Sequence, residues 1–461
     1  MIEICYEWED EQNRRVLEKI GENIIKRICS SRSQKVEPDY LGLRIDEIIW
    51  PYLSKQKDFG EEPVRMNLIP LERLGQSQGK SGSKILLCYF ECGNMLPSIP
   101  MIIKREIKDE RSGSKHICQE FENATKIYPF LRRKDIFILP FYKASVEDTE
   151  FIVSNSIVYS PDRRIDTTIS HIETFMDRLR IFEAEAFSGG DAEKKGEELI
   201  ETINYLYACL QDLHLGPFAS KHDILKENTY CIEYDKYLRG MVDANAKNKF
   251  CYFWCGKVRN SECQECPLFA IEKVVNKKAC FHQGCIHGDF HPRNIVYLAA
   301  TTSSFNDVSI IDYGWSNDLA HIAKDYVLME CNFRFMAISS KISPNRLLKL
   351  QKSIETEEIT KSIKSCEDTY EREIYKMIEC LRSSFIDTIS KMQADINQEK
   401  IFYEEYIIPL FLVGYGLVKY YGESENQLAH RTMLDELAKY ILEKERNMEN
   451  GKSDGCSGRC N

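Results

Sequence analysis

Two short polar motifs constrain this chain more than any other feature of its sequence. Residues 285–297 read CIHGDFHPRNIVY, and residues 309–315 read SIIDYGW. In each motif an isolated acid follows an apolar run and stands close to a glycine, which is typical of a tight turn at the end of a strand. The acid of the first motif is Asp289, with Asn294 five positions later, and the acid of the second is Asp312.

These three side chains are the set that phosphoryl transfer requires. Mg²⁺ prefers a few oxygen ligands together with substrate phosphates, which suits one amide and one carboxylate better than a cage of acids. A further carboxylate can accept the proton of a hydroxyl acceptor. We therefore predict that Asp289 is the catalytic base and that Asn294 and Asp312 are Mg²⁺ ligands.

The two motifs, in this order, resemble the protein-kinase-like superfamily in its aminoglycoside phosphotransferase and choline kinase branch, which carries HGDxxxxN followed by an aspartate at a strand end. The run IDYGWSNDLAHIAKDYVLMEC at 311–331 is also similar to the bacterial phosphotransferase-like group called the ternary complex associated domain. The resemblance covers roughly residues 66–445, although only a few short motifs carry it. It implies an α+β, bilobal protein-kinase-like fold, with a small antiparallel five-stranded lobe and a large, mainly helical lobe.

The resemblance and the sequence patterns together predict four segments. Apolar residues every fourth position from Val16 to Ile28 indicate an amphipathic helix ahead of any kinase-like feature. The predicted segments are an N-terminal helical extension (1–65), an N-lobe (66–158), a helical C-lobe (159–445) with a cysteine-rich insertion near 216–283, and a flexible polar tail (446–461).

A glycine-rich turn between two predicted strands is a candidate phosphate-binding loop. Gly75, Gly79 and Gly82 stand in the run GQSQGKSGS at 75–83. Glycines let the backbone approach a phosphate and direct N–H groups at its oxygens. The spacing is not that of a P-loop, and a strand follows where a P-loop needs a helix. In front of the later motifs this turn is predicted to cover the phosphates of ATP or GTP.

A lysine and a glutamate follow the glycine-rich turn in the order found in kinases. Lys104 ends the third apolar strand, and Glu120 lies on the apolar face of a predicted helix that ends near Pro129. A carboxylate on that face requires a partner, and the resemblance implies that the partner is Lys104. Glu122 points to the opposite face and is predicted to be solvated. The adenine-binding hinge is expected near 156–159.

The resemblance also implies supporting roles around the HGD motif. It places His287 as a residue that bonds the loop backbone, and it places His291 near the position of a phosphate-contacting lysine in protein kinases. Neither histidine is predicted to be the base. Asp325 is at a position where the resembling families brace the catalytic loop, and a solvated helix acid is the alternative.

Four cysteines of the predicted insertion have a spacing that could hold a metal. Cys251, Cys255, Cys263 and Cys266 follow the pattern C-x3-C-x7-C-x2-C, and its second half has zinc-knuckle spacing. Structural Zn²⁺ is one interpretation. An iron–sulfur cluster and a set of reduced thiols are the alternatives.

Composition limits the partners and the compartment. The 461 residues carry a formal net charge of −10, which argues against a general nucleic-acid binder. The acidic N-terminus does not resemble a signal peptide, so the 18 cysteines indicate reduced thiols in a cytoplasm. The apolar run at 407–418 is too short to span a bilayer and predicts a buried helix, so no membrane partner is expected. The oligomeric state is left open.

The predicted function is an ATP-dependent phosphotransferase that moves the γ-phosphate to a hydroxyl of a small molecule. The acidic net charge weakly favours a cationic acceptor. Two alternatives remain: a kinase-like binding or signalling module without turnover, and a protein kinase or nucleotidyltransferase in a bacterial signalling or defence system.

Overall fold

The computed structural model describes about two thirds of the chain, including both polar motifs. Most of the predicted N-terminal extension lies outside the described residues. So do the turn with Gly75, Gly79 and Gly82, the hinge near 156–159, and Cys263. The described ranges are 2–5, 64–70, 84–92, 101–107, 117–132, 136–146, 149–155, 173–219, 225–240, 244–255, 266–297, 308–393, 397–423 and 426–455.

The described residues form a mixture of strands and helices, in agreement with the predicted α+β class. The strands are β1 (Ile2–Cys5), β2 (Val64–Pro70), β3 (Lys84–Cys92), β4 (Met101–Ile107), β5 (Pro140–Val146), β6 (Thr149–Asn155), β7 (Leu225–Thr229), β8 (Lys278–Ile286), β9 (Ile295–Tyr297), β10 (Val308–Ile310) and β11 (Asn317–His321). The α-helices are α1 (Ile117–Ile127), α2 (Phe175–Ser188), α3 (Ala192–His214), α4 (Gly216–Ala219), α5 (Tyr230–Glu233), α6 (Asp235–Leu238), α7 (Ala244–Cys255), α8 (Pro267–Val274), α9 (Ala323–Cys331), α10 (Pro344–Lys352), α11 (Thr356–Ser365), α12 (Thr369–Met392), α13 (Gln398–Ile401), α14 (Ile408–Gly416) and α15 (Gln427–Gly455).

These elements divide into two compact units. The first unit takes the described residues within Met1–Pro129, Arg133–Phe175 and Arg293–Ser316. The second takes those within Phe130–Arg132, Met176–Pro292 and Asn317–Asn461.

A sheet with the strand order β1-β2-β3-β4-β6-β5 dominates the first unit. The predicted five-stranded, fully antiparallel sheet is wrong in two respects. The described sheet has six strands, and β1 pairs with β2 in parallel. Ahead of β5, Phe137 is joined to Ile310 by an isolated bridge. The strand that pairs with β6 is β5, an edge strand that begins at Pro140. Proline is tolerated at the first residue of an edge strand.

Helix α1 packs against β5 and β6. Ala124 and Ile127 have no exposed surface and lie on the face that the sequence pattern predicted. Glu120 and Asn123 share this buried face, whereas Glu122 is exposed. The helix therefore carries two polar side chains into the first unit.

The hairpin of β9 and β10 belongs to the first unit, although the sequence division assigned it to 159–445. Its backbone explains the correction. Ile138 N donates to Ile310 O at 3.0 Å, and Ile310 N donates to Ile136 O at 2.7 Å. At the other strand, Tyr297 N donates to Glu173 O at 2.8 Å. The chain thus returns to the first unit between the two polar motifs.

The second unit is mainly helical, with a small sheet in the order β11-β8-β7. The apolar stripe of α3, from Leu199 to Leu213, is buried, and α3 packs along α12. The chain turns between α2 and α3: α2 ends at Ser188, and Asp191 caps α3 by accepting from Lys194 N.

The predicted flexible tail is wrong over its first part. Helix α15 continues to Gly455, so residues 446–455 are helical. The predicted buried helix at 407–418 is confirmed, because every residue of α14 is buried. The stretch Gln398–Tyr420 has the length and apolar composition of a membrane span, but 78% of its apolar 18-residue window is buried inside the protein, as in the core helix of a folded domain.

Candidate functional site

A cluster of Lys104, Glu120 and Asp312, here called the Lys104 cluster, lies in the first unit. Lys104 Nζ is 2.7 Å from Glu120 Oε2 and 3.8 Å from Asp312 Oδ1. The predicted pairing of Lys104 with Glu120 is therefore confirmed. Glu122 instead faces solvent and lies 3.4 Å from Lys143 Nζ. Of the two nearby helix acids, only Glu120 has a buried position that requires a cationic partner.

The strand position of Lys104 determines which groups surround its ammonium. In the sheet, Lys104 lies between Ile85 of β3 and Ile152 of β6. Burial by itself would lower the pKa of Lys104, but the charges of Glu120 and Asp312 outweigh it and hold the pKa above its usual value. The lysine is therefore a permanent cation with two carboxylates beside it.

The turn that carries Asp312 has an unusual backbone. Asp312 has φ of +69°, the one positive value at a non-glycine position in the described part of the chain. Its Oδ1 accepts a long hydrogen bond of 3.4 Å from Gly314 N. A short acidic side chain that bonds locally in this way is among the few that tolerate the left-handed region. The Asp312 side chain is 41% exposed, so its oxygens remain open to a ligand.

Asn123 of α1 stabilises this turn through hydrogen bonds to its backbone carbonyl groups. Its Nδ2 donates to Gly314 O at 2.9 Å and to Tyr313 O at 3.3 Å. Gln119 in turn donates to Asn123 Oδ1 at 2.7 Å and orients the amide. The helix that supplies Glu120 therefore also positions the backbone after Asp312.

Asn294 is attached to the same hairpin through its main chain. It ends a 3-10 turn directly before β9, and its carbonyl oxygen accepts from Ile311 N at 3.0 Å. This bond ties Asn294 to the residue next to Asp312. An amide oxygen and a partly exposed carboxylate, attached to neighbouring strands, are a donor set that fits Mg²⁺.

A second cluster, consisting of Lys236, Asp289 and His291 and here called the Asp289 cluster, lies in the second unit. Lys236 Nζ donates to Asp289 Oδ1 at 2.6 Å and to Gly288 O at 2.8 Å. His291 Nε2 is 3.5 Å from Asp289 Oδ2. Burial alone would raise the pKa of Asp289, but Lys236 and His291 outweigh it and hold the pKa well below its usual value. Asp289 is thus a carboxylate at neutral pH.

Asp325 of α9 braces the loop that carries Asp289. Its two carboxylate oxygens accept from Gly288 N at 2.7 Å and from His287 N at 2.9 Å. His214 Nε2 lies 3.1 Å from the same carboxylate. Burial raises the pKa of Asp325, whereas these bonds lower it and prevail. The predicted bracing role is confirmed, and the solvated alternative is wrong because Asp325 is fully buried.

The two histidines of the motif occupy supporting positions. His287 is fully buried, and its Nδ1 accepts from Asp289 N at 3.4 Å, as expected for a residue that bonds the loop backbone. Phe290, also buried, stacks edge-on against His287 and Tyr207. These contacts anchor the loop on both sides of Asp289 and leave its carboxylate accessible.

The cysteine prediction is only partly covered by the structure. Cys251 is buried and Cys255 ends α7, while Cys266 precedes α8. Within the described ranges, no three His, Cys, Asp or Glu side chains converge as a metal-binding group. Because Cys263 lies outside these ranges, the zinc site stays a prediction.

Sequence reasoning missed three contributors: Lys236, Asn123 and His214. Lys236 lies 53 residues before Asp289, with no motif around it. Asn123 was detectable, because it lies three positions after Glu120 on the same helix face. His214 carried no pattern that distinguished it from any other histidine near a helix end.

Comparison with known proteins adds no relative to these observations. Neither the protein-family models nor the curated proteins contain a match to this chain.

Proposed function

We propose that this chain is an ATP-dependent (or GTP-dependent) phosphotransferase that moves the γ-phosphate to a hydroxyl of a small molecule. The observation that carries the proposal is the Lys104 cluster: a strand lysine paired with a helix glutamate at 2.7 Å and lying 3.8 Å from Asp312. A cation positioned by one carboxylate and next to another suits a nucleotide phosphate chain that shares a metal ion with the second carboxylate.

In this proposal each residue has one role. Lys104, oriented by Glu120, binds the α- and β-phosphates. Asn294 and Asp312 would hold Mg²⁺, which when bound neutralises charge on the phosphates. The turn with Gly75, Gly79 and Gly82 would cover them. A cytoplasmic location and a bilobal kinase-like architecture are part of the same proposal.

Asp289 is proposed as the base. It is ionised, and its loop is anchored by Asp325, so it can accept the hydrogen bond of an acceptor hydroxyl without rearrangement of the backbone. As the oxygen–phosphorus bond to the acceptor forms, the bond to the nucleoside diphosphate breaks, and the hydroxyl proton passes to Asp289. Positioning and charge neutralisation supply most of the rate.

The experiment uses the full chain with ATP labelled at either the α- or the γ-phosphate, together with a panel of hydroxyl compounds. We expect γ-label on an acceptor, and we expect Asp289→Asn to lower kcat by about 10²- to 10⁴-fold, the usual contribution of a base. Transfer of α-label would contradict the proposal in favour of nucleotidyl transfer. An absence of product with every acceptor would favour a binding module.

His291→Ala is the control within the same cluster. If the histidine change abolishes turnover while Asp289→Asn retains it, the base is assigned to the wrong residue.

A further inference from the structure

Two lysines from distant parts of the chain lie close to Asp289 in the second unit. Lys236, on α6, contacts the carboxylate directly at 2.6 Å. Lys419 lies in the 3-10 helix Leu417–Glu423 that follows α14, and its side chain is exposed. Neither lysine belongs to the two polar motifs.

Backbone packing brings these two elements together. A Cβ atom added at Gly416 would lie 2.5 Å from the carbonyl oxygen of Tyr237, so only glycine allows this approach. Tyr237 follows Lys236, and Gly416 precedes Lys419 by three positions. Direct main-chain contact therefore brings together the elements that carry the two lysines.

The charges that act on Lys419 agree with this packing, because they include those of Lys236 and Asp289. Its pKa is below the usual value, because partial burial and the charge of Lys236 disfavour the ammonium form, with Asp289 acting in the opposite direction. Among the described residues, no carboxylate is in ion-pair contact with Lys419. Lys419 is thus a cation beside another cation, an arrangement that an anionic ligand would stabilise.

The aromatic rings at this place do not suit a cationic ligand. Lys236 Nζ lies 5.3 Å from the ring centre of Tyr237, and Lys419 Nζ lies 5.3 Å from that of Tyr420. The protein's own ammonium groups already occupy these rings. A quaternary amine or amino sugar would meet two like charges instead of aromatic faces.

We propose that the acceptor phosphorylated at Asp289 carries an anionic group, a phosphate or a carboxylate, which Lys419 and Lys236 bind. This inference rests on the proposed phosphotransferase function and replaces the cationic acceptor that net charge alone favoured. Lys236 contacts Asp289 and Gly288 O, and its helix packs on the element that carries Lys419, so it can bridge the base and the anionic group of the acceptor.

The test compares four hydroxyl compounds of different charge: glycerol 3-phosphate, glycerate, glycerol and choline. Each is assayed for shift of the thermal unfolding midpoint without nucleotide, and for kcat/KM with ATP. We expect the two anions to raise the midpoint and to react with higher kcat/KM than the other two. The order of glycerol 3-phosphate and glycerate then distinguishes a phosphate from a carboxylate group.

Lys419→Met is the decisive variant, because Lys236 also acts on the charge of Asp289. We expect Lys419→Met to lower kcat/KM for the anions about tenfold, mainly through KM, as for loss of one charge-assisted hydrogen bond. Lys419→Arg should restore most of the loss. Lys361→Met, at an exposed lysine of α11, is the matched control.

The outcomes separate the two proposals. Anion-dependent shifts that Lys419→Met removes, without γ-phosphate transfer, would contradict the phosphotransferase but retain the anion site. Transfer to choline or glycerol in preference to the anions, equal or absent responses to all four compounds, or equal losses for all of them in Lys419→Met would overturn the anionic acceptor.

Discussion

The loop that carries Asp289 and the turn that carries Asp312 are held by opposite kinds of hydrogen bond. Asp325 is a buried carboxylate that accepts from the N–H groups of His287 and Gly288. Asn123 is a neutral amide that donates to the carbonyl groups of Tyr313 and Gly314. Both supports bond backbone groups and make these bonds without using the carboxylates of Asp289 and Asp312.

The two clusters also resemble each other in charge. Each acid has a lysine from a remote element beside it: Lys236 at 2.6 Å from Asp289, and Lys104 at 3.8 Å from Asp312. The difference is that Lys104 has a separate carboxylate, Glu120, to hold it, whereas Lys236 is held by Asp289 itself and by Gly288 O. Lys104 can therefore bind a ligand while it stays paired with Glu120. Lys236 would have to divide its hydrogen bonds between Asp289 and a ligand.

The first prediction addresses the lysine that has its own support. Lys104→Met should lower kcat by at least about 10²-fold, the usual effect of removing one preorganised donor from a site of charge development. Glu120→Gln should retain the cation but loosen its orientation and cause a smaller loss. The measurement is steady-state kinetics with ATP as the varied substrate.

Glu122→Gln is the matched control, because Glu122 is an exposed acid of the same helix. If Glu122→Gln lowered kcat as much as Glu120→Gln, the proposal that Glu120 alone orients Lys104 would be contradicted.

The second prediction compares the two supports. Asp325→Asn should lower the free energy of unfolding by about 3 kcal/mol, because it removes one partner from a buried charged network. Asn123→Ala should cost only about 1–2 kcal/mol, as for neutral hydrogen bonds. Urea unfolding followed by circular dichroism measures both. Equal costs would contradict the assignment of Asp325 as a charged brace.

The pH dependence of this difference has a defined sign. The folded pKa of Asp325 is below that of an unfolded aspartate, so its stabilisation is present above the unfolded pKa and is lost as pH falls through the folded pKa. The difference in free energy of unfolding between the wild-type protein and Asp325→Asn should therefore become smaller in acid.

The third and smallest prediction concerns the shared lysine. Lys236 holds the pKa of Asp289 down, so Lys236→Met should raise it and move the acid limb of kcat/KM to higher pH. The pH profile of kcat/KM measures this shift. In Lys104→Met the acid limb should move less, since Lys236 is the largest of the charges that act on Asp289. If the acid limb of kcat/KM did not move in Lys236→Met, the group that titrates in that limb would not be Asp289.

A contact of the candidate site could be predicted from the sequence only where both of its residues belong to a recognisable sequence pattern. The pair of Lys104 and Glu120 was predictable, because helix periodicity places an acid on an apolar face that requires a partner, and the resemblance to kinases implies Lys104 as that partner. Asp325 was predictable from its position after the second motif. Lys236 was not, because α6 is only four residues long and its neighbours along the chain give no reason for a lysine.

The errors in the fold have a similar cause. The position of β5 and the assignment of the β9–β10 hairpin depend on backbone bonds between Ile136, Ile138 and Ile310, which no local pattern contains. The helical end of α15 was missed because its polar composition resembles that of a disordered tail.

The backbone of Asp312 has a consequence for how this protein can change. A left-handed residue other than glycine costs roughly 1–2 kcal/mol, and an aspartate recovers only part of that through its local bond to Gly314. Glycine at this position would make the fold more stable and remove the carboxylate. If Asp312 binds Mg²⁺ as proposed, stability and ligand binding oppose each other at this turn, and the aspartate is retained at a cost in stability.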